Sequence, residues 1–271
     1  TGWRAGDQIA IAPSDFSPFE AEVRTLTAVN GNILTLDRPL EHMHYGQIQT
    51  FGSFVLESRA EVALLSRNIV VRGEVSSSRP TFGGHTMFMR GSEVKISGVE
   101  FTRMGQRGLN GRYPVHFHLM RDTAAGSYLK HSAIHHVFQR FITVHTSNRL
   151  LIENNVCFDT SGHGVFIEDG NETGNMFRNN LIMLIRQMPL EDRLRDSSKS
   201  LDQCRNEVHS ALCDTKQDVR SSGFWISHPD NHFVGNVVAG VEEGFGFWYT
   251  SGADGQLRDD ETGAVVRFYE L

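Results

Sequence analysis

Residues 113–122 read YPVHFHLMRD, with two histidines one residue apart in a run that alternates like a β-strand. Successive strand side chains point to opposite faces. Val115, Phe117 and Leu119 therefore share one face, and His116 and His118 share the other. Three later stretches follow the same pattern: FITVH (141–145), GVFIED (164–169) and GFWIS (223–227). With their aliphatic residues turned inward, two outward columns result. One runs His118, His145, Glu168, Ser227, and the other His116, Thr143, Phe166, Trp225. Adjacent strands lie about 4.8 Å apart, so His116, His118, His145 and Glu168 fall within side-chain reach. His163 and Asp169 flank Glu168 at the strand edges, and Asp122 ends the opening stretch.

Three chemistries suit such a cluster. Imidazoles with a carboxylate can hold a divalent cation such as Zn²⁺ or Ca²⁺. Two carboxylates with a histidine can supply the proton donor and the base or nucleophile that cleave a glycosidic bond. Aromatic rings beside an arginine can bind a sugar chain without chemistry, with Phe166 and Trp225 on the sugar faces and Arg121 on a carboxylate. The plain alternative is a polar ladder that only solvates one face of a sheet.

Such columns require stacked strands, and the sequence supplies them. Helical periodicity is nearly absent. QIAIA (8–12), EVRTLTA (22–28) and ILTL (33–36) are β-rich and separated by turn signals, which predicts a small antiparallel β unit. From Arg67 the chain repeats short apolar strands with Asn, Gly and Ser between them. Aligning Ile96, Leu129, Ile152 and Phe177 gives a strand-rich, helix-free repeat of some two dozen residues or more. That pattern predicts a right-handed parallel β-helix. The expected organisation is all-β: residues 1–66 as part of a small β-sandwich-like domain, residues 67–250 as the β-helix, and residues 251–271 as a tail. Residues 186–221 are charged, lack alternation and form a long insertion. Asn154, Asn155, Asn179 and Asn180 recur at one place in successive coils and predict an internal amide ladder. His131, His135 and His136 read as structural or solvated.

The chain has 271 residues, 39% of them hydrophobic, and a net charge of −6. This composition gives no case for nucleic acid or membrane binding. Arg103, Arg107, Arg112 and Arg121 nevertheless form a local basic cluster that suits an anionic ligand. No stretch has the length and hydrophobicity of a transmembrane helix or signal peptide. The opening TGWRAGDQ reads as the interior of a domain, so any targeting or membrane segment would lie outside this sequence. Of the three cysteines, Cys157 reads as a buried thiol, and Cys204 and Cys213 could pair in an oxidising compartment.

The motifs HFHL, VHTSN, GHGVFIEDG and FWISHPDN in combination resemble the cell-migration-inducing hyaluronidase family with its transmembrane relative, and more distantly the fibrocystin-like proteins. The resemblance covers about residues 2–249, with residues 2–46 similar to the later part of that family's glycine-marked β domain. It implies a secreted or cell-surface protein that binds and depolymerises hyaluronan, a polyanion in keeping with the arginine cluster. The positions that match are His116, His118, His145, His163, Glu168 and Asp169. Two departures stand out. QDVRSSGFW lacks the cysteine the family carries before its FW motif, where Cys213 could substitute as the partner of Cys204. HLMRD carries Met-Arg where relatives have small residues.

The expected roles follow. Glu168 and Asp169 are the acid–base carboxylates, with His145 beside them as a catalytic residue. His116, Arg121, Phe166 and Trp225 bind substrate, and His118, His145 and His163 hold a divalent cation, Ca²⁺ or Zn²⁺. The alternatives are a non-catalytic glycan-binding or adhesion module and a β-helix polysaccharide lyase.

Overall fold

A computed structural model describes residues 2–74, 80–193, 218 and 220–249, with the backbone of Leu257–Arg258 and Val265–Val266, which pair antiparallel. Cys204, Cys213 and most of the insertion and tail lie outside the described residues. Gln8–Ile11, Glu22–Asn30, Ile33–Leu36 and Val62–Leu64 form one antiparallel sheet, and Ile48–Phe51 pairs with Phe54–Glu57 in a hairpin. The sheet finds its second layer in the rest of the chain. Ala10, Ala12, Ala63 and Leu65 share a buried cluster with Phe158, Met183 and Leu184.

From Ile69 the chain winds as a parallel β-helix of three sheets. The first sheet stacks Val115–Arg121, Ile142–Ser147, Val165–Ile167, Phe224–Ile226 and Phe247–Tyr249. The second stacks Lys95–Ser97, Tyr128–Lys130, Leu151–Glu153, Met176–Arg178 and His232–Val234. The third stacks Ile69–Arg72, Val99–Thr102, Ala133–His135, Val156–Ser161, Leu181–Arg186 and Val237–Val241. Ile96, Leu129, Ile152 and Phe177 are consecutive partners on the second sheet, and the column continues to Phe233. The core between the sheets holds Phe117, Leu129, Ile134, Val144, Ile152, Cys157, Phe177 and Ile182, all buried. Each fully buried aliphatic or aromatic side chain contributes about 1.5–3 kcal/mol.

One left-handed residue turns each coil from the second sheet to the third. Gly98, His131, Asn154, Asn179 and Gly235 occupy this place with φ of 70°, 50°, 54°, 52° and 64°. The backbone N–H of each of the first four donates to the coil above, at Lys130, Glu153, Arg178 and Val234. Glycine and asparagine tolerate this conformation best, which accounts for Asn154 and Asn179 at the corner rather than in the amide ladder.

The ladder runs through the neighbouring residues. Asn180 Oδ1 accepts from the backbone N–H and side-chain amide of Asn155 at 3.1 and 3.0 Å. Asn180 Nδ2 donates to Ile152 O and Asn236 Oδ1, both at 2.9 Å. A parallel pair joins Asn175 to Asn231. Asn180→Ala should therefore cost about 2–3 kcal/mol in urea unfolding, since it strands buried partners on both adjoining coils.

Candidate functional site

The site grows from the first sheet. Val115 pairs with Ile142, His116 with Thr143, Phe117 with Val144 and His118 with His145. Thr143 then pairs with Phe166, Phe166 with Trp225, and Trp225 with Trp248. The outward column His116, Thr143, Phe166, Trp225 read from the sequence is thus in register, and the second column begins with the His118–His145 pair. The alternation ends one residue earlier than expected. After His118 the register slips by one residue, so Arg121 pairs with Ser147. Leu119 and Arg121 take left-handed φ of 51° and 50°. The extra residue is a bulge: it moves Leu119 out of the core, and Met120 fills the place instead.

The outward imidazoles converge. The ligating nitrogens of His116, His118 and His145 lie within 4.8 Å of one another. His118 Nδ1 and His145 Nδ1 are 3.0 Å apart. His145 Nε2 is 2.7 Å from Asp169 Oδ2, and its Nδ1 is 3.8 Å from Glu168 Oε2. Both carboxylates are 4% exposed and His145 is 8% exposed, whereas His118 is half-buried and opens the cluster to solvent. His116 is 1% exposed; its Nδ1 lies 3.1 Å from Gly111 O, and its Nε2 has no hydrogen-bond partner. Burial, reinforced by the neighbouring His118, pushes the His116 imidazole down to about 3, so it is neutral at pH 7. Burial and His145 lower His118 as well.

Glu172, which the strand alternation does not mark, anchors the carboxylates from below. It is fully buried, and its carboxylate accepts the backbone N–H groups of Thr146 (2.7 Å), Asp169 (3.1 Å) and Gly170 (2.8 Å). Burial and the charge of Asp169 together push it up to about 7 despite those donors. An acid raised in the fold binds its proton more tightly there than in the unfolded chain. Its contribution to stability is therefore present below pH 4.5 and is lost as pH rises to about 7, beyond which the loss is constant. Unfolding free energies measured from pH 4.5 to 8 should fall in the wild type relative to Glu172→Gln, by on the order of 3 kcal/mol across the window. Parallel curves would remove Glu172 as the titrating group.

Several expected ligand-binding residues are covered. Phe166 is 0% exposed, held between the Arg140 guanidinium, 3.4 Å above its ring, and the stacked His163 ring at 5.7 Å. It cannot present a face to a sugar, and His116 is equally enclosed. The cause is a roof over this half of the outward face. Tyr113 packs on His116 and Arg140, Gln139 ties down Gly108 and Leu109, and Arg107 pairs with Asp192 at 2.8 Å. That last pair also draws one arginine of the basic cluster into the roof.

His163 falls outside the imidazole trio, and His116 takes the place expected for it. His163 lies at the corner before Val165–Ile167, on the aromatic column. There its Nδ1 accepts the Ser222 N–H at 3.0 Å and its Nε2 lies 3.6 Å from Asp218 Oδ1. Arg140 and Asp218, both 0% exposed and 3.3 Å apart, complete this buried group. Neither stood out in the sequence, because a lone arginine and an aspartate in a charged stretch carry no spacing signal. Trp225 is nearly buried against His163, Phe166 and Trp248. Among the described residues the aromatic column reaches solvent at Trp248, which is half-buried, and at the exposed Phe245 that packs on it. The second GFW, at 246–248, is the sequence signal that points to Trp248. Arg121 is half-buried at the bulged end of the cluster, where its carbonyl accepts the Asn148 N–H at 3.1 Å.

A three-sheet parallel β-helix with a histidine–carboxylate cluster on one outward face defines the class of this molecule. The chain belongs to the family described as CEMIP beta-helix, whose model matches residues 81–263. It is 36% identical over 92% of its length to cell surface hyaluronidase CEMIP2 of Homo sapiens. It is 34% identical over 91% to the human cell migration-inducing and hyaluronan-binding protein, and 33% identical over 91% to fibrocystin-L of Mus musculus. The chain spans 19% and 20% of the first two relatives and 6% of the third.

Proposed function

We propose that this β-helix binds an anionic glycosaminoglycan of the hyaluronan class and cleaves it by acid–base hydrolysis at the end of the first sheet left open by the roof. The observation that carries the reading is the contact of His145 Nε2 with Asp169 at 2.7 Å, with Glu168 on the same imidazole. A carboxylate that orients a histidine beside a second carboxylate can hold and move the proton that glycoside cleavage requires. The names of relatives, a cell surface hyaluronidase and a hyaluronan-binding protein, supply the substrate class. In this reading Asp169 orients His145, Glu168 exchanges the proton with the glycosidic oxygen or water, and Arg121 with the exposed Arg112 attracts the uronate charges. Trp248 replaces Phe166 as the sugar-stacking ring. The setting is secreted or cell-surface. Among the described residues no helix is long and apolar enough to cross a membrane.

Incubation with size-defined hyaluronan tests the proposal. Shortened chains with new reducing ends and no ultraviolet-absorbing unsaturated uronate are expected. An unsaturated product would make the protein a lyase, and binding without new chain ends would make it an adhesion module.

A further inference from the structure

We propose that His116, His118 and His145 form a binding site for one divalent cation of the zinc class. This goes beyond the glycan reading and does not depend on hyaluronan being cleaved.

The geometry supports a built site. Three imidazoles from two adjacent rungs place their nitrogens within 4.8 Å of one another. Two nitrogens bound to one tetrahedral zinc at about 2.0–2.1 Å sit roughly 3.3 Å apart. His118 Nδ1 and His145 Nδ1 already stand at 3.0 Å. Closing the third ligand onto the ion needs a shift of about 1.5 Å, within the range of a side-chain rotation.

Polar contacts on the far side of two rings turn the nearer nitrogens inward. His116 Nδ1 lies on the Gly111 carbonyl, which leaves Nε2 to face the trio, and His145 Nε2 lies on Asp169, which turns Nδ1 to it. A carbonyl or carboxylate behind an imidazole is the arrangement that fixes tautomer and orientation in metal sites. The independent sign of a missing ligand is His116 Nε2. It belongs to a side chain 1% exposed, is the nitrogen left for the trio once Nδ1 lies on Gly111, and has no hydrogen-bond partner. Burying such an atom unsatisfied is costly, and a coordinated cation removes that cost. Glu168 is close enough to supply the fourth ligand or to hold a bound water. Three nitrogen donors select a borderline ion such as Zn²⁺ over Ca²⁺, which takes six to eight oxygens.

The test is metal titration of the apo-protein, followed by calorimetry and by the visible absorption of Co²⁺. One equivalent of Zn²⁺ is expected to bind, Co²⁺ should give the intense bands of a tetrahedral site, and a large excess of Ca²⁺ should displace neither. His118→Ala, at the half-exposed ligand, should weaken zinc at least 100-fold while circular dichroism stays that of the wild type. Asp169→Asn should weaken it about 10–100-fold and keep the cobalt bands. His135→Ala combined with His136→Ala removes the pair 2.7 Å apart on the third sheet and should change nothing. The proposal is overturned by the absence of a stoichiometric site, by unchanged affinity in a folded His118→Ala variant, or by loss of binding in the third-sheet control. None of these readouts involves hyaluronan, so failure here leaves the cleavage assay to be judged by itself.

Discussion

Arg140→Ala is expected to lower the free energy of unfolding by about 3–5 kcal/mol, the usual cost of breaking a buried ion pair from one side. Arg140 and Asp218 are both fully buried and 3.3 Å apart, and the guanidinium also lies over the rings of Phe166 and Tyr113. The substitution leaves the Asp218 carboxylate in a low-dielectric group with His163 and empties the space above Phe166. Chemical denaturation with two optical probes measures the loss. The double variant Arg140→Met with Asp218→Leu should regain most of it, because replacing a whole buried pair with apolar volume is close to neutral. A single substitution costing under 1 kcal/mol would show that the pair does not anchor the roof.

The second large effect concerns catalysis. Asp169→Asn should reduce the rate of hyaluronan chain cleavage by about 10²–10⁴-fold with the fold intact. Asparagine keeps the shape but removes the charge that orients His145 beside Glu168. Counting new reducing ends at saturating substrate gives the rate. Affinity for the polymer should change less than threefold, because Asp169 is 4% exposed and touches the histidine rather than the sugar. A variant that cuts as fast as the wild type would remove Asp169 from the mechanism.

The β-helix was legible because its determinants are local and repeated. Inward aliphatics every second residue and Asn-marked corners recur coil after coil, and Ile96, Leu129, Ile152 and Phe177 pair as their spacing implies. The same periodicity placed His116 with Phe166 and His118 with His145 on the outward face. Periodicity is silent about what lies above that face. The roof depends on contacts between segments far apart in sequence, such as Arg107 with Asp192 and Arg140 with Asp218. Outward therefore did not mean exposed for Phe166 and His116. The bulge at Leu119 escaped for a related reason: a one-residue slip is set by the fit of two neighbouring coils, and VHFHLM alternates as well with it as without it.

The bulge, the trio and both carboxylates fall between His116 and Glu172, and Glu172 holds Asp169 in place from the same stretch. Each coil is closed by its own corner and rests only on its neighbours. The histidine–carboxylate cluster is thus a nearly self-contained cassette: a β-helix of matching width could receive it as one transplanted segment, and insertions at distant corners would leave its geometry unchanged.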